Sequence, residues 1–96
     1  MKTRQQILDV LKKAQPELES RFRVSRLAIF GSYARGDQRD DSDIDILVEV
    51  DPAIGLRFVD LAERIEQLLD HRIDLVSRRA LNERSLNAIG PELIYV

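Results

Sequence analysis

The chain contains no cysteine, and it has neither a long apolar run nor an excess of basic residues. Without cysteine it can form no disulfide framework and no thiolate metal site, so a reducing compartment suits it. A net charge of -2 gives no general electrostatic reason to bind nucleic acid or an anionic membrane. Charges spread through the first residues are unlike a signal peptide, and no segment reaches membrane-spanning length. We therefore expect a cytoplasmic protein that binds neither membranes nor nucleic acid directly.

What the chain does contain is an ordinary globular composition, with 44% hydrophobic and 33% charged residues. A length of 96 residues suits one compact domain with a modest core. We therefore expect residues 1–96 to form a single domain.

Hydrophobic periodicity and turn signals predict alternating helices and strands. A capping box, Thr3 with Gln6, starts a helix over residues 4–14 that stops before Pro16. Further helices are predicted over 16–22, 56–69 and 80–89, and strands over 24–30, 44–50 and 72–77. The closing PELIYV is apolar enough to dock on the domain. This order predicts an α/β (α+β) fold, with a small β-sheet flanked by helices.

An acidic stretch runs from Gly31 to Val50 and contains six aspartates and glutamates. Side chains alternate on a strand, so Asp43 and Asp45 point to one face while Ile44 points to the other. Two such carboxylates repel each other unless a cation lies between them, and Mg²⁺ is the hard ion that takes carboxylate and phosphate oxygens. Asp74 repeats the pattern on the third predicted strand. If these strands are neighbours, three carboxylates converge.

Gly31 and Ser32 follow the first predicted strand and open a short turn through Arg35. Glycine lets backbone N–H groups approach an anion closely, a helix N-terminus favours phosphate, and the serine adds a hydroxyl donor. Carboxylates for metal and a phosphate-binding turn are the parts required for phosphoryl or nucleotidyl transfer with two metal ions. Two uses stay open for Arg35 and Arg39: contact with a triphosphate, or solvent exposure in a loop.

The stretch Gly31–Val50 has simpler interpretations. A solvated acidic loop is the usual meaning of a charge run, but it does not explain Asp74. A calcium-binding EF-hand loop is excluded, because its sixth and twelfth positions would be Ile46 and Pro52. Gly31-Ser32 alone would be an ordinary turn after a strand. Its spacing to Asp43 favours the phosphate-binding function.

The same residues carry a family resemblance. GSYARGDQRDDSDIDILVEV, followed by RIDLVSRRAL and PELIYV, resembles the minimal nucleotidyltransferases (MNT proteins) of the polymerase β-like superfamily. Some of these proteins act as antitoxins to HEPN-domain toxins. The resemblance covers nearly the whole chain and implies a small mixed β-sheet flanked by helices. It also implies that Asp43, Asp45 and Asp74 are catalytic metal ligands.

The implied activity is transfer of AMP from ATP with two Mg²⁺ ions. Gly31 and Ser32 would hold the triphosphate, and Asp74 would also help to deprotonate the attacking hydroxyl. The implied partner is a HEPN toxin that is silenced by AMP on a hydroxyl. Two other functions stay open: an antitoxin that neutralises its partner by binding alone, and an adenylyltransferase for a small molecule such as an aminoglycoside. The single histidine, His71, is expected to be structural or solvent-facing rather than catalytic.

Overall fold

The computed structural model describes residues 2–96 and contains four α-helices and four β-strands in that range. In chain order they are α1 (Arg4–Phe22), β1 (Val24–Phe30), α2 (Gly31–Arg35), β2 (Ile44–Val50), α3 (Arg57–Leu69), β3 (Ile73–Ser77), α4 (Glu83–Ile89) and β4 (Ile94–Tyr95). Short 3-10 turns cover Pro52–Ile54, Arg78–Ala80 and Gly90–Glu92.

The four strands form one mixed sheet in the order β3-β2-β1-β4. Strand β1 is antiparallel to both of its neighbours, β2 and β4, whereas β2 and β3 are parallel. A parallel pair needs a crossover connection, and α3 supplies it between β2 and β3. The predicted small mixed sheet with flanking helices is confirmed. Because β2 and β3 run in the same direction, their first residues lie at the same end of the sheet.

The core lies between one face of the sheet and the helices α1 and α3. Both helices bury a stripe of side chains at helical spacing: Ile7, Leu11, Ala14, Leu18 and Phe22 from α1, and Leu61, Ile65 and Leu69 from α3. Strand β2 sends Ile44, Ile46 and Val48 into the same core. Strand alternation therefore leaves Asp45 on the opposite face, away from these helices.

The predicted break before Pro16 was wrong, because α1 continues through it from Arg4 to Phe22. Proline removes one helical hydrogen bond and normally ends or kinks a helix. Pro16 is exposed, so the disturbed backbone faces water, and the buried stripe continues on the other side to Leu18 and Phe22. Thr3 and Gln6 form the predicted capping box. Within residues 2–96, no helix combines the length and the apolar content needed to cross a bilayer.

The C-terminal part also differs from the prediction. Helix α4 begins at Glu83 rather than at residue 80, because the Asn82 side chain accepts the backbone N–H of Ser85 at 2.8 Å and caps the helix there. The closing residues do more than dock: Ile94 and Tyr95 form a fourth strand against β1. Two residues are too few to show the alternation that identifies a strand, so only the pairing with β1 reveals it.

Candidate active site

Two of the predicted site carboxylates lie side by side on the parallel strands. Asp45 of β2 is in register with Asp74 of β3, and adjacent strands are about 4.8 Å apart. The antiparallel partner of Asp45 on β1 is Phe30, the residue before Gly31. The structure therefore brings Asp45 and Asp74 together with the short helix α2 (Gly31–Arg35), called the glycine turn below. All three lie at one end of the sheet, where β1 ends and β2 and β3 begin.

Gly31 lies directly against the Asp45 side chain. Its φ angle is +73°, a conformation that glycine adopts without steric cost. A Cβ atom added at Gly31 would lie 2.0 Å from Asp45 Oδ2 and 3.0 Å from its Cγ. A side chain at position 31 would therefore displace the carboxylate, so the glycine is required by both the backbone angle and the contact.

Asp45 has the most perturbed environment of the three aspartates. Burial raises the pKa of its carboxyl above the ordinary value, and the negative charges of Asp74 and Asp43 raise that pKa further. Arg35 acts in the opposite direction, and Glu92 adds to the increase. The cause is mutual repulsion in a half-buried position, which a bound cation would relieve.

Asp43 is about half exposed, and its carboxylate lies 3.4 Å from Arg72 Nε. In the part of the chain that the structure describes, no three His, Cys, Asp or Glu side chains already surround a common metal position. The contact with Arg72 involves only the Oδ1 atom of Asp43. The donor set nevertheless fits Mg²⁺, because it consists of carboxylate oxygens whose repulsion needs a counter-charge.

The glycine turn already binds a carboxylate from the C-terminal segment. The backbone N–H of Gly31 donates to Glu92 Oε1 at 3.1 Å. Arg35 Nη1 donates to Glu92 Oε2 at 2.7 Å, and Arg35 Nε donates to Asp37 Oδ2 at 3.0 Å. These ion pairs raise the pKa of Arg35 and lower that of Glu92. The Gly31 N–H and the Arg35 guanidinium are thus seen to hold an oxyanion together.

The other two predicted nucleotide ligands lie near this turn. Ser32 is half-buried, and its carbonyl accepts the N–H groups of Gly36 and Asp37, which closes the turn. Arg39 is exposed, and its backbone N–H donates to Ser42 Oγ at 2.9 Å. The structure thus places Arg39 in the loop before Asp43 rather than in the Gly31–Arg35 turn itself.

His71 connects this loop to the turn. Its Nε2 lies 2.7 Å from the carbonyl oxygen of Ser42 and 3.5 Å from the hydroxyl of Tyr33. Tyr33 is fully buried, and burial together with the charge of Asp40 raises its pKa. The expected structural role of His71 therefore takes a specific form, since it holds the residue that precedes Asp43.

The sequence analysis missed Glu92, which contacts two of the predicted nucleotide ligands. No motif in PELIYV identifies it, because its position depends on the pairing of β4 with β1. An apolar cavity of about 450 Å³ lies elsewhere, at the far ends of β2 and β3, with Val50, Phe58 and Leu75 in its wall. Its wall contains none of the predicted site residues, so this cavity does not mark the candidate active site.

Comparisons with known proteins agree with this geometry. The model of the nucleotidyltransferase domain family matches residues 11–92. The chain is 39% identical over 98 residues to the protein adenylyltransferase MntA of Thermococcus cleftensis, covering 100% of this chain and 98% of the relative.

Two solved structures have the same fold. One, described as a candidate minimal nucleotidyltransferase, is 34% identical and has a TM-score of 0.77. The match covers 97% of this chain and 95% of that one. The other, a toxin–antitoxin crystal structure with AMP-PNP, is 26% identical with a TM-score of 0.63, and the match covers 96% of this chain and 70% of that one. The resemblance noted from the sequence is confirmed: the chain belongs to the nucleotidyltransferase domain family, as a minimal nucleotidyltransferase related to the MntA protein adenylyltransferases.

Proposed function

We propose that this protein transfers AMP from ATP to a hydroxyl group of a protein partner, with residues 1–96 acting as one nucleotidyltransferase domain. The observation that carries the proposal is the alignment of Asp45 with Asp74 beside a turn that already holds an oxyanion. The paired carboxylates suit a metal cation, and the turn suits a phosphate group. Nucleotidyl transfer requires both at adjacent positions.

In this proposal, Asp43, Asp45 and Asp74 would hold two Mg²⁺ ions. The bound ions would supply positive charge to offset the carboxylates and the triphosphate. The raised pKa of Asp45 supports the assignment, because burial and carboxylate repulsion leave it without adequate compensation from protein groups. Asp43, which is about half exposed, would contribute its carboxylate to the same site.

The triphosphate binds at the glycine turn. Ser32 offers its hydroxyl and backbone N–H, and Arg35 offers guanidinium donors beyond the two used by Asp37 and Glu92. Arg39 supplies a further cation from the exposed loop. These donors orient the triphosphate so that its α-phosphorus lies near the carboxylates, and orientation supplies much of the catalysis in such reactions.

The reaction itself is a substitution at the α-phosphorus. The acceptor hydroxyl oxygen forms a bond to this phosphorus, the bond from phosphorus to the bridging oxygen breaks, and pyrophosphate leaves with that electron pair. Asp74 accepts the hydroxyl proton as the nucleophile attacks. Asp74 is exposed, so a hydroxyl of a docked partner can reach it.

The proposed partner is a HEPN-domain toxin, which AMP on a hydroxyl group would silence. Support comes from the toxin–antitoxin complex among the similar solved structures, which contains the ATP analogue AMP-PNP. A toxin silenced by modification requires ATP and intact carboxylates, whereas a toxin silenced by occlusion requires neither. This difference defines the test.

The experiment mixes the purified protein with the product of the neighbouring gene, ATP and Mg²⁺, and measures the intact mass of both chains. The inactivating variant is Asp43→Asn/Asp45→Asn. Its matched control is Asp40→Asn/Asp41→Asn, which removes the same charge from the same acidic stretch outside the proposed site. We expect the partner to gain AMP with the wild type and the control, but not with the inactivating variant. Suppression of the partner by Asp43→Asn/Asp45→Asn without added mass would establish neutralisation by binding instead.

A further inference from the structure

The C-terminal segment reaches the proposed nucleotide site through one side chain, that of Glu92. Its two carboxylate oxygens have different partners, the backbone N–H of Gly31 for Oε1 and the guanidinium of Arg35 for Oε2. The Arg35 contact, and then the Gly31 hydrogen bond, hold the pKa of Glu92 below its ordinary value. Glu92 is therefore ionised at neutral pH, and it connects residues far apart in the sequence.

Sheet register explains why Glu92 occupies this position. Strands β1 and β4 are antiparallel, with Ala28 opposite Tyr95 and Ile29 opposite Ile94. Continuing this register by two residues places Gly31 opposite Glu92. Beyond the last backbone pair, the Glu92 carboxylate takes over as acceptor for the Gly31 N–H. The position of Glu92 is thus set by the sheet rather than by a mobile tail.

The guanidinium of Arg35 is fixed from two sides by Glu92 and Asp37. Planar guanidinium groups bound in this way lose their rotational freedom, and their remaining N–H donors point in set directions. Ser32 follows Gly31 in the same turn, and its carbonyl accepts the N–H groups of Gly36 and Asp37. The donors that Glu92 leaves unused are therefore held beside the turn and remain available to a ligand.

We propose that Glu92 is a positioning residue of the nucleotide site, which fixes the Gly31 backbone and the Arg35 guanidinium so that the turn presents ordered donors to the triphosphate. This inference rests on the proposed function. Glu92 does not touch the reacting atoms, and it acts through Gly31 and Arg35. A carboxylate that merely competed with phosphate would have the opposite effect on nucleotide affinity.

Two substitutions separate the contacts. Glu92→Gln keeps an oxygen that accepts the Gly31 N–H but loses the ion pair with Arg35, whereas Glu92→Ala loses both. The matched control is Glu83→Ala, which removes an exposed glutamate from α4 outside the site. The measurement is the dissociation constant of AMP-PNP with Mg²⁺ by calorimetry, with the thermal unfolding midpoint of each variant recorded in parallel.

We expect Glu92→Ala to raise the dissociation constant by about 10- to 100-fold, the loss typical of removing groups that orient ligating residues. Glu92→Gln should fall between this variant and the wild type, and Glu83→Ala should match the wild type. The isosteric Glu92→Gln keeps the test decisive if Glu92→Ala unfolds.

Equal or tighter AMP-PNP binding by the folded Glu92 variants would overturn the positioning role, and tighter binding would identify Glu92 as a competitor of phosphate. A wild-type protein that binds no AMP-PNP in the presence of Mg²⁺ would overturn the proposed function itself. The two failures are distinguishable because only the second affects the wild type.

Discussion

Asp45 and Asp74 are register partners on the parallel neighbouring strands β2 and β3. Their side chains therefore lie on the same face of the sheet, near the start of both strands. The position of Asp45 is unfavourable for folding, because burial and the nearby charges raise the pKa of its carboxyl. Proteins commonly retain such unfavourable groups where function needs them, at a cost in stability.

Neutralising Asp45 should stabilise the fold and abolish activity. A carboxyl whose pKa is raised in the folded state disfavours folding when it is ionised, and that cost disappears as the pH falls through the raised pKa. We therefore expect Asp45→Asn to increase the free energy of unfolding at pH 7 by about 0.5–2 kcal/mol, the range common for such relief. Urea denaturation at pH 7 and at pH 4 measures it, and the gain should shrink at the lower pH. Glu63→Gln, an exposed change on α3, serves as control; a loss of stability in Asp45→Asn would contradict the repulsion argument.

Magnesium should stabilise the wild-type protein through the same carboxylates. A ligand that binds only the folded state at about 100 times its dissociation constant adds about 2.7 kcal/mol of stability. We expect the thermal unfolding midpoint to rise with Mg²⁺ in the wild type and in Asp40→Asn/Asp41→Asn. It should not rise in Asp43→Asn/Asp45→Asn. An equal rise in all three proteins would show that Mg²⁺ binds somewhere else.

Gly31→Ala should disturb the site more than Gly36→Ala does. Both glycines have positive φ angles, +73° and +87°, so both substitutions carry a backbone cost of about 1–2 kcal/mol. Only at Gly31 would the new Cβ meet Asp45, and no atom lies within 4 Å of the corresponding position at Gly36. Because Asp45 would have to turn away, we expect Gly31→Ala to lose nucleotidyl transfer almost completely while Gly36→Ala retains most of it. Activity assays after correction for folded fraction test this, and equal activities would contradict the steric argument.

Glu17 should make stability sensitive to acid. Its carboxylate accepts hydrogen bonds from Arg64 of α3 at 2.6 and 2.8 Å and from Arg21 at 2.7 Å. Arg64 is the largest cause that lowers its pKa from 4.5 to about 2. A lowered pKa means that the contribution to stability is complete above about 4.5 and is lost as the pH falls towards 2.

We therefore expect Glu17→Gln to be less stable than the wild type at pH 7, with the difference shrinking between pH 4.5 and pH 2. Urea denaturation at several pH values measures this difference. Glu19→Gln, an exposed substitution on the same helix, is the control and should show no such pH dependence. A stability difference that stays constant down to pH 2 would exclude the ion pair between α1 and α3 as its cause.

Much of the fold follows from local pattern. The run Ile44–Val50 and the run Val24–Phe30 were predicted with the bounds that the structure shows, because buried strands between turn residues carry a strong signal. The interruption at Pro16 was predicted from an equally local rule, and that rule failed. Packing of the buried stripe of α1 outweighed the lost hydrogen bond, and no local pattern reports that balance.

Some residues of the candidate site were predicted from the local sequence, and others were not. Asp43, Asp45, Gly31 and Ser32 were predicted because they lie close together in the sequence and form one motif. Glu92 was not predicted, because it meets Gly31 only after β4 has paired with β1. The contact of Arg35 with Glu92 was also not predicted, because it joins residues that meet only through the register of β4 on β1.

By itself, the sequence determined the three longer strands, the acidic pair with its glycine-serine turn, and the family to which the chain belongs. These properties depend on residues that are near each other along the chain, where side-chain periodicity and backbone preferences act. Only the tertiary structure decided that Asp74 lies opposite Asp45, that Asp43 pairs with Arg72, and that a C-terminal glutamate holds the glycine turn. Strand order and register decide which distant residues become neighbours, and both result from packing of the whole chain.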